Sequence, residues 1–412
     1  MESSTISEVK GGEVTGCPVM HHDFSTTRDL GDYWALANDL RENCPHFYNK
    51  YSEGGYWVFT RHEAVKDIYK TPEIFSSESI TPWEPNPIYR FVPTQVDAPD
   101  HIKYRRILNP WFSPQAMEAA APMMREICRG FIEPLVPRGS CDFIEEFALL
   151  FPTAAFLNVI GVPVSHTQQF AEWVDMFFGG FGGDPAGAEN MAKALGEMRE
   201  FWTEQLADRR REGFREGDLF SYLLNARFDD KPIDDEVLLD MCTVLTLAGL
   251  DTTRAELGYM FHHLAQHPEH RKMLVDDPEL VPLAVEETLR YYTIIFGDGR
   301  KVTRDIEFHG VQLKKGDMVY ALVSGANRDP RHWERADEFV IDRKRNNHFG
   351  FASGPHRCLG MHLARREMAI AVQEWLALMP DFELATDAQL MERGGGSMMA
   401  LSTLPLRWEV HS

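Results

Sequence analysis

The 412-residue chain contains no Gly/Ser or proline-rich linker, no internal repeat and no low-complexity tract. Nothing therefore divides it. The expectation is one large folding unit over residues 26–412, behind a polar stretch, 1–25, expected to be disordered. The six cysteines, Cys17, Cys44, Cys128, Cys141, Cys242 and Cys358, include no CxxC pair. This scatter excludes the usual structural zinc spacings and fits a reducing compartment, with every cysteine but Cys358 read as a small apolar residue. Basic residues are in deficit: 42 Lys and Arg against 63 Asp and Glu give a net charge of −21. Nucleic acid is not an expected partner, because counterion release needs a basic surface. No long apolar run is uninterrupted. Phe147 to Val164 is broken by Pro152, Asn158 and Pro163, so it reads as a buried helix with a turn and not as a membrane span. The first twenty residues are acidic and polar with no apolar signal core. The expected location is the cytoplasm, with no membrane partner.

A hydrophobic fraction of 44% with 25% charged residues supplies a core large enough to enclose a sizeable ligand. The periodicity is mainly α with a minor β part. Paired runs His46–Tyr51 and Gly55–Thr60, the hairpin Ile306–Leu313 and the run Met318–Val323 place the β-rich part near residues 46–60 and 301–323. Between Ser76 and Asp100 the chain is rich in proline and aromatics, which predicts an ordered loop with bulky side chains turned inward. Phe177 to Pro185 alternates phenylalanine with glycine, reading either as a mobile apolar flap or as a plain helix connection. The longest helical pattern starts at the cap Asp234 and runs to about Gln266, where His267-Pro268 stops it. At 1.5 Å per residue it spans roughly 50 Å. Its midpoint, Ala248-Gly249-Leu250-Asp251-Thr252-Thr253, is polar and contains a glycine, which weakens the ladder where a ligand or water could enter.

Cys358 lies in the loop Phe351-Ala352-Ser353-Gly354-Pro355-His356-Arg357-Cys358-Leu359-Gly360, directly before a helical pattern. A helix N-terminus favours thiolate over thiol through unpaired N–H groups and the helix dipole. Three uses of such a sulfur are open. Zinc could be drawn from His348, His356, Cys358 and His362, although the spacing departs from structural zinc sites. A nucleophile would need His356 as base, an awkward reach along one loop. A single axial ligand to haem iron needs one thiolate, glycines that let a flat group approach, and cations elsewhere for propionates; it fits best.

Phe351, Gly354, His356, Cys358 and Gly360 resemble the haem-binding signature of the cytochrome P450 family, the haem-thiolate monooxygenases. Ala248 to Thr253 resembles that family's oxygen-activation motif on its long helix. Glu287-Thr288-Leu289-Arg290 resembles its Glu-x-x-Arg pair, and Phe339 to Arg343 the stretch whose arginine completes that buried cluster. The likeness runs from about residue 30 to the end, and within the family Glu307 to Asp317, His362 to Glu367 and Leu404 to Trp408 resemble the bacterial camphor hydroxylase group. Ala352 departs from the signature, which usually has glycine there; the cost is small at negative φ and larger at positive φ.

The resemblance implies a cytochrome P450 fold, with haem b between the long helix and the cysteine-loop helix and Cys358 as the axial thiolate. It implies that His101, Arg105, Asp298, Arg300 and His356 serve the propionates, and that Asp251 and Thr252 deliver protons. Glu287, Arg290 and Arg343 are then structural. Tyr89 falls where a tyrosine hydrogen-bonds a substrate oxygen, and Val244, Leu247, Ala248, Ile295 and Met398 would form apolar walls, ordinary core packing being the alternative for each. The implied reaction is O2-dependent hydroxylation of a compact apolar cyclic molecule such as a monoterpenoid, or of a larger terpenoid or aromatic. Electrons would come from a [2Fe–2S] ferredoxin and its NADH-dependent reductase, docking on Arg343, Lys344, Arg345, Arg357, Arg365 and Arg366. A haem sensor without turnover is the rival class, disfavoured by the Asp251-Thr252 pair.

Overall fold

Helices dominate, and the described strands are divided among five sheets, the largest of them six-stranded. A computed structural model describes residues 18–52, 54–87, 89–180, 185–385, 389–394 and 397–410. The larger sheet has six strands in the spatial order Val19–Met20, His46–Asn49, Tyr56–Phe59, Met318–Ala321, Asp298–Val302, Phe75–Ser76. The 46–60 and 301–323 stretches thus meet in one sheet, where Tyr56–Phe59 runs parallel to Met318–Ala321. The hairpin Ile306–Phe308 with Val311–Leu313 turns through His309 and Gly310, both at positive φ, 47° and 85°. That is the backbone twist two-residue hairpins require.

The central helix, Asp235–Gln266, has 32 residues. Asp234 caps it by accepting from the Glu236 amide, Asp235 and Glu236 follow in its first turn, and His267 ends it. It is buried almost throughout, yet Ala248 is exposed and Gly249 and Thr252 are half-buried at its midpoint. An opening halfway along a buried helix is interior space, bordered by one helical face. Gly249 also has a packing reason, since a Cβ there would lie 2.8 Å from the Phe156 ring. Phe147 to Val164 becomes a π-helical turn and then the helix Leu150–Ile160, ended by Gly161 at φ 88°. Among the described residues no helix is long and apolar enough to cross a membrane.

The expectation of disorder through residue 25 fails from residue 18 onward. Val19 and Met20 pair in parallel with Tyr48 and Asn49, and Phe24 is buried against Phe296 and Tyr320. An aromatic anchor and a sheet edge order this short piece although its own pattern is weak. Residues 1–17 lie outside the described residues. So do 181–184 of the glycine-phenylalanine stretch, whose flanks are the helices Thr167–Gly179 and Pro185–Glu212.

Glu287 and Arg290 sit one turn apart on the helix Val281–Tyr291, both fully buried. The Glu287 carboxylate accepts from Arg290 Nε at 2.9 Å and Nη2 at 2.8 Å, from Arg343 Nε at 2.9 Å, from the Val340 amide at 2.8 Å and from Asn346 at 3.0 Å. Arg290 also donates to the carbonyls of Asn327, Ala336 and Glu338. Every member of this charge cluster is paired, the condition under which a buried cluster stabilises.

Candidate active site

The cysteine loop is a backbone construction. The Cys358 amide donates to the Phe351 carbonyl at 2.9 Å, the Ala352 amide to Phe349 at 2.8 Å, and the Phe349 amide to the Asn327 side chain at 2.8 Å. Gly354 has φ 70°, and a Cβ there would meet the Tyr69 carbonyl oxygen at 2.2 Å, so only glycine fits. Ala352 sits at φ 55°, in the left-handed region where a methyl is costly. Ala352→Gly is therefore expected to stabilise the haem-loaded protein by about 1 kcal/mol. Thermal unfolding of the two proteins checks this; an unchanged or lower Tm would show that the loop carries no strain at this residue.

Gly360 caps the helix Met361–Leu378. Burial pushes the Cys358 thiol up, opposed by the Gly360 N–H and by Arg105, Arg365 and Arg357. The helix N-terminus by itself does not make the anion. A cation on the sulfur would, which is what a haem iron supplies. Among the described residues Cys358 joins no group of three ligand atoms within 4.8 Å, and two of the histidines the zinc and nucleophile readings need are engaged elsewhere. His348 is engaged with Glu286 at 3.2 Å and the Gly350 amide at 3.0 Å, and His356 stacks on His101 with centroids 3.9 Å apart.

Basic groups from two further elements accompany the loop. His101 and Arg105 lie four residues apart on the helix Asp100–Leu108, and Arg300 comes from the strand Asp298–Val302. Arg105 has no carboxylate partner among the described residues; burial pushes its pKa down while the Cys358 sulfur acts the other way. Burial first, then neighbouring charges, lower His356 to about 3 and His101 to about 4. Asp298 pairs with Arg300 at 2.8 Å, which makes it an orienting group for Arg300. Arg105, half-buried and without a carboxylate partner among the described residues, fits a haem carrying propionates, as the open midpoint of the central helix fits its ring.

On that helix the turn of roughly 100° per residue puts Val244, Ala248 and Thr252 on one stripe, with Leu245 beside them and Leu247 at the margin. Leu245 is thus a wall candidate that the sequence pattern missed. Ile295 and Met398 pair across an isolated bridge. The Thr252 hydroxyl donates to the Ala248 carbonyl at 2.9 Å. Asp251 is fully buried beneath Arg254 and Arg393, the latter at 3.0 Å and 3.2 Å, and both arginines reach on to Asp175. Arg254 is legible at i+3 from Asp251; Arg393 arrives from a strand 142 residues away. Tyr89 stacks on Phe91 with centroids 4.5 Å apart, and its hydroxyl donates to Glu84 at 2.9 Å.

The basic docking face is thinner than the sequence suggests. Arg343 is committed to Glu287, Arg365 to Glu286 and Arg366 to Glu118. Lys344, Arg345 and Arg357 remain exposed, with no ion-pair partner among the described residues.

Comparison with known proteins gives the family. The cytochrome P450 family model matches residues 139–389. A probable cytochrome P450 127A1 of Sinorhizobium fredii is 31% identical over 370 residues, 88% of this chain and 87% of its own. A steroid C26-monooxygenase of Mycolicibacterium smegmatis is 29% identical, over 89% of this chain and 90% of its own. The crystal structure of cytochrome P450 CYP101C1 superposes with a TM-score of 0.87 at 28% identity, covering 98% of this chain and 100% of that one. The chain belongs to the cytochrome P450 family, monooxygenases that hold haem through a cysteine thiolate.

Proposed function

We propose that this monooxygenase hydroxylates a compact apolar cyclic molecule carrying one oxygen, of monoterpenoid size, with Cys358 as the axial thiolate. When bound, the haem supplies reductive activation of O2. The chain's own part is orientation and proton handling. His101, Arg105, Arg300 and His356 hold the propionates, with Asp298 fixing Arg300. Because the Thr252 hydroxyl already donates to Ala248, its oxygen keeps lone pairs with which to accept a hydrogen bond from water. Asp251 carries the proton inward from its arginine cage. Val244, Leu245, Leu247, Ala248, Ile295 and Met398 give the substrate apolar walls. Reduction comes from a [2Fe–2S] ferredoxin, itself served by an NADH-dependent reductase, at Lys344, Arg345 and Arg357.

The observation that carries the substrate reading is Tyr89, a phenol set among apolar rings. Its proton is committed to Glu84, so it offers the substrate an acceptor. A cyclic alcohol can donate to that oxygen without breaking the Glu84 bond, whereas a ketone must displace it. The test is a spin-shift titration of the haem-loaded protein with paired cyclic monoterpenoid alcohols and ketones, and with a steroid. Alcohols are expected to bind tighter, and Tyr89→Phe to weaken them about tenfold. Preferential response to the steroid would favour the larger-substrate reading, the activity named for the Mycolicibacterium relative. An unchanged affinity and product pattern in Tyr89→Phe would remove Tyr89 from the role.

A further inference from the structure

The central helix ends in a knot of imidazoles that oxygen chemistry does not use. His263 is buried in its last turn, His267 is its C-terminal cap, and His270 lies in the first turn of the next helix, Pro268–Asp276. His263 Nε2 is 2.8 Å from His270 Nδ1, and the His267 ring stacks on His263 with centroids 4.3 Å apart. One nitrogen from each of the three lies within 4.8 Å of the others. We infer that His263, His267 and His270 form a binding site for a divalent transition-metal ion, zinc by the chemistry of its donors, at the junction of these helices.

The spacing is that of a chelate. His263 and His267 are four apart, the separation at which two helical imidazoles reach one ion. His270 supplies a third donor from a second helix. Two nitrogens on a tetrahedral zinc at about 2.0–2.1 Å sit about 3.3 Å apart. The His263–His270 pair therefore opens by a few tenths of an ångström as His267 draws in. A hydrogen bond between two imidazoles explains that pair alone; His267 is held against it by stacking on His263 and by Glu269.

The surroundings also suit a ligand set. Tyr292 Oη pairs with His263 Nδ1 at 2.9 Å, and the ring stacks on Phe339 with centroids 3.8 Å apart, so Nε2 is the nitrogen presented. A hydrogen-bonded far nitrogen is the usual companion of a metal-bound histidine. Glu269 reaches His267 Nδ1 at 3.0 Å, which puts a carboxylate beside the site as orienting group or fourth ligand. The His267 side chain is 42% exposed, giving an ion a path in. Three imidazoles with no thiolate are borderline donors, suited to zinc, nickel and copper and poorly suited to magnesium or calcium. The site is 11 residues from Thr252, about 16 Å along the helix axis, so it is separate from the oxygen chemistry.

The experiment is calorimetric titration of the haem-loaded protein with ZnCl2, alongside His267→Ala, His270→Ala and, as a control at a distant exposed imidazole, His309→Ala. One zinc per chain is expected at micromolar affinity, weakened at least about 100-fold in either cluster variant and unchanged in the control. Zinc should raise the Tm of the parent and not that of the cluster variants. Heat signals shared equally by all four proteins, or binding seen only near millimolar zinc, would overturn the site. Both cluster positions are partly exposed, so the variants should fold, and their haem spectra verify it.

Discussion

Replacing Glu287 by alanine is expected to leave little folded, haem-loaded protein. The carboxylate is fully buried and holds two guanidinium groups, an amide and an asparagine at 2.8–3.0 Å. Removing it strands Arg290, itself fully buried, with no compensating anion. Breaking one partner out of such a cluster costs about 3–5 kcal/mol, against a total stability of about 5–15 kcal/mol for a typical protein. The damage reaches the haem site by a short route. Arg290 Nη1 holds the Asn327 carbonyl, and the Asn327 side chain holds the Phe349 amide at the entry to the cysteine loop. Soluble yield, thermal unfolding and the carbon monoxide difference spectrum of the reduced protein measure the outcome. Glu287→Gln, which keeps the shape and loses the charge, should fall between parent and alanine variant. An alanine variant that unfolds within about 1 kcal/mol of the parent would show that the cluster does not hold the fold.

Local signals carried most of what was legible. The central helix announced itself by a cap, first-turn acids and a His-Pro stop, and its bounds follow within a residue. The hairpin at His309-Gly310 needs two positive φ angles, and its sequence says so. Cys358 was visible because glycines, histidine and a following helix crowd one loop. Contacts made only by the tertiary fold were not legible. The cage on Asp251 needs Arg393 from 142 residues away, and nothing near Tyr89 in sequence shows that Glu84 takes its proton. Arginine counting overstated the docking face: Arg365 and Arg366 look like surface charges until Glu286 and Glu118 are placed, and Arg343 was counted although the resemblance already gave it to the Glu287 cluster. The strand Val19–Met20 has too few residues to carry a pattern, and its order comes from the sheet edge it joins. Ala352 shows the limit from the other side: the departure from the signature is readable, but its cost depends on a φ of 55° that only the folded loop fixes.

Asp251→Asn is expected to slow turnover about 100-fold while leaving substrate affinity and the haem spectrum unchanged. Asparagine keeps an acceptor for Arg254 and Arg393, so the cage survives, but it cannot exchange a proton at neutral pH. Two accounts of Asp251 predict different partners for this effect. If the carboxylate only ties Arg254, Arg393 and Asp175 together, Arg393→Gln should slow turnover as much as Asp251→Asn does, and neither should alter the chemistry selectively. If it relays protons, Asp251→Asn slows turnover and Arg393→Gln does not. Asp251 is fully buried and held by both arginines, so it must release one to exchange a proton with solvent. Arg393 is the more available one, with a side chain 24% exposed against 6% for Arg254. Arg393→Gln should then leave the rate unchanged or raise it, and Asp251→Asn should enlarge the solvent deuterium isotope effect on NADH consumption. Equal rate losses in both variants, with an isotope effect that does not move, would assign Asp251 to the ion cage and leave proton delivery to Thr252 and the water it accepts.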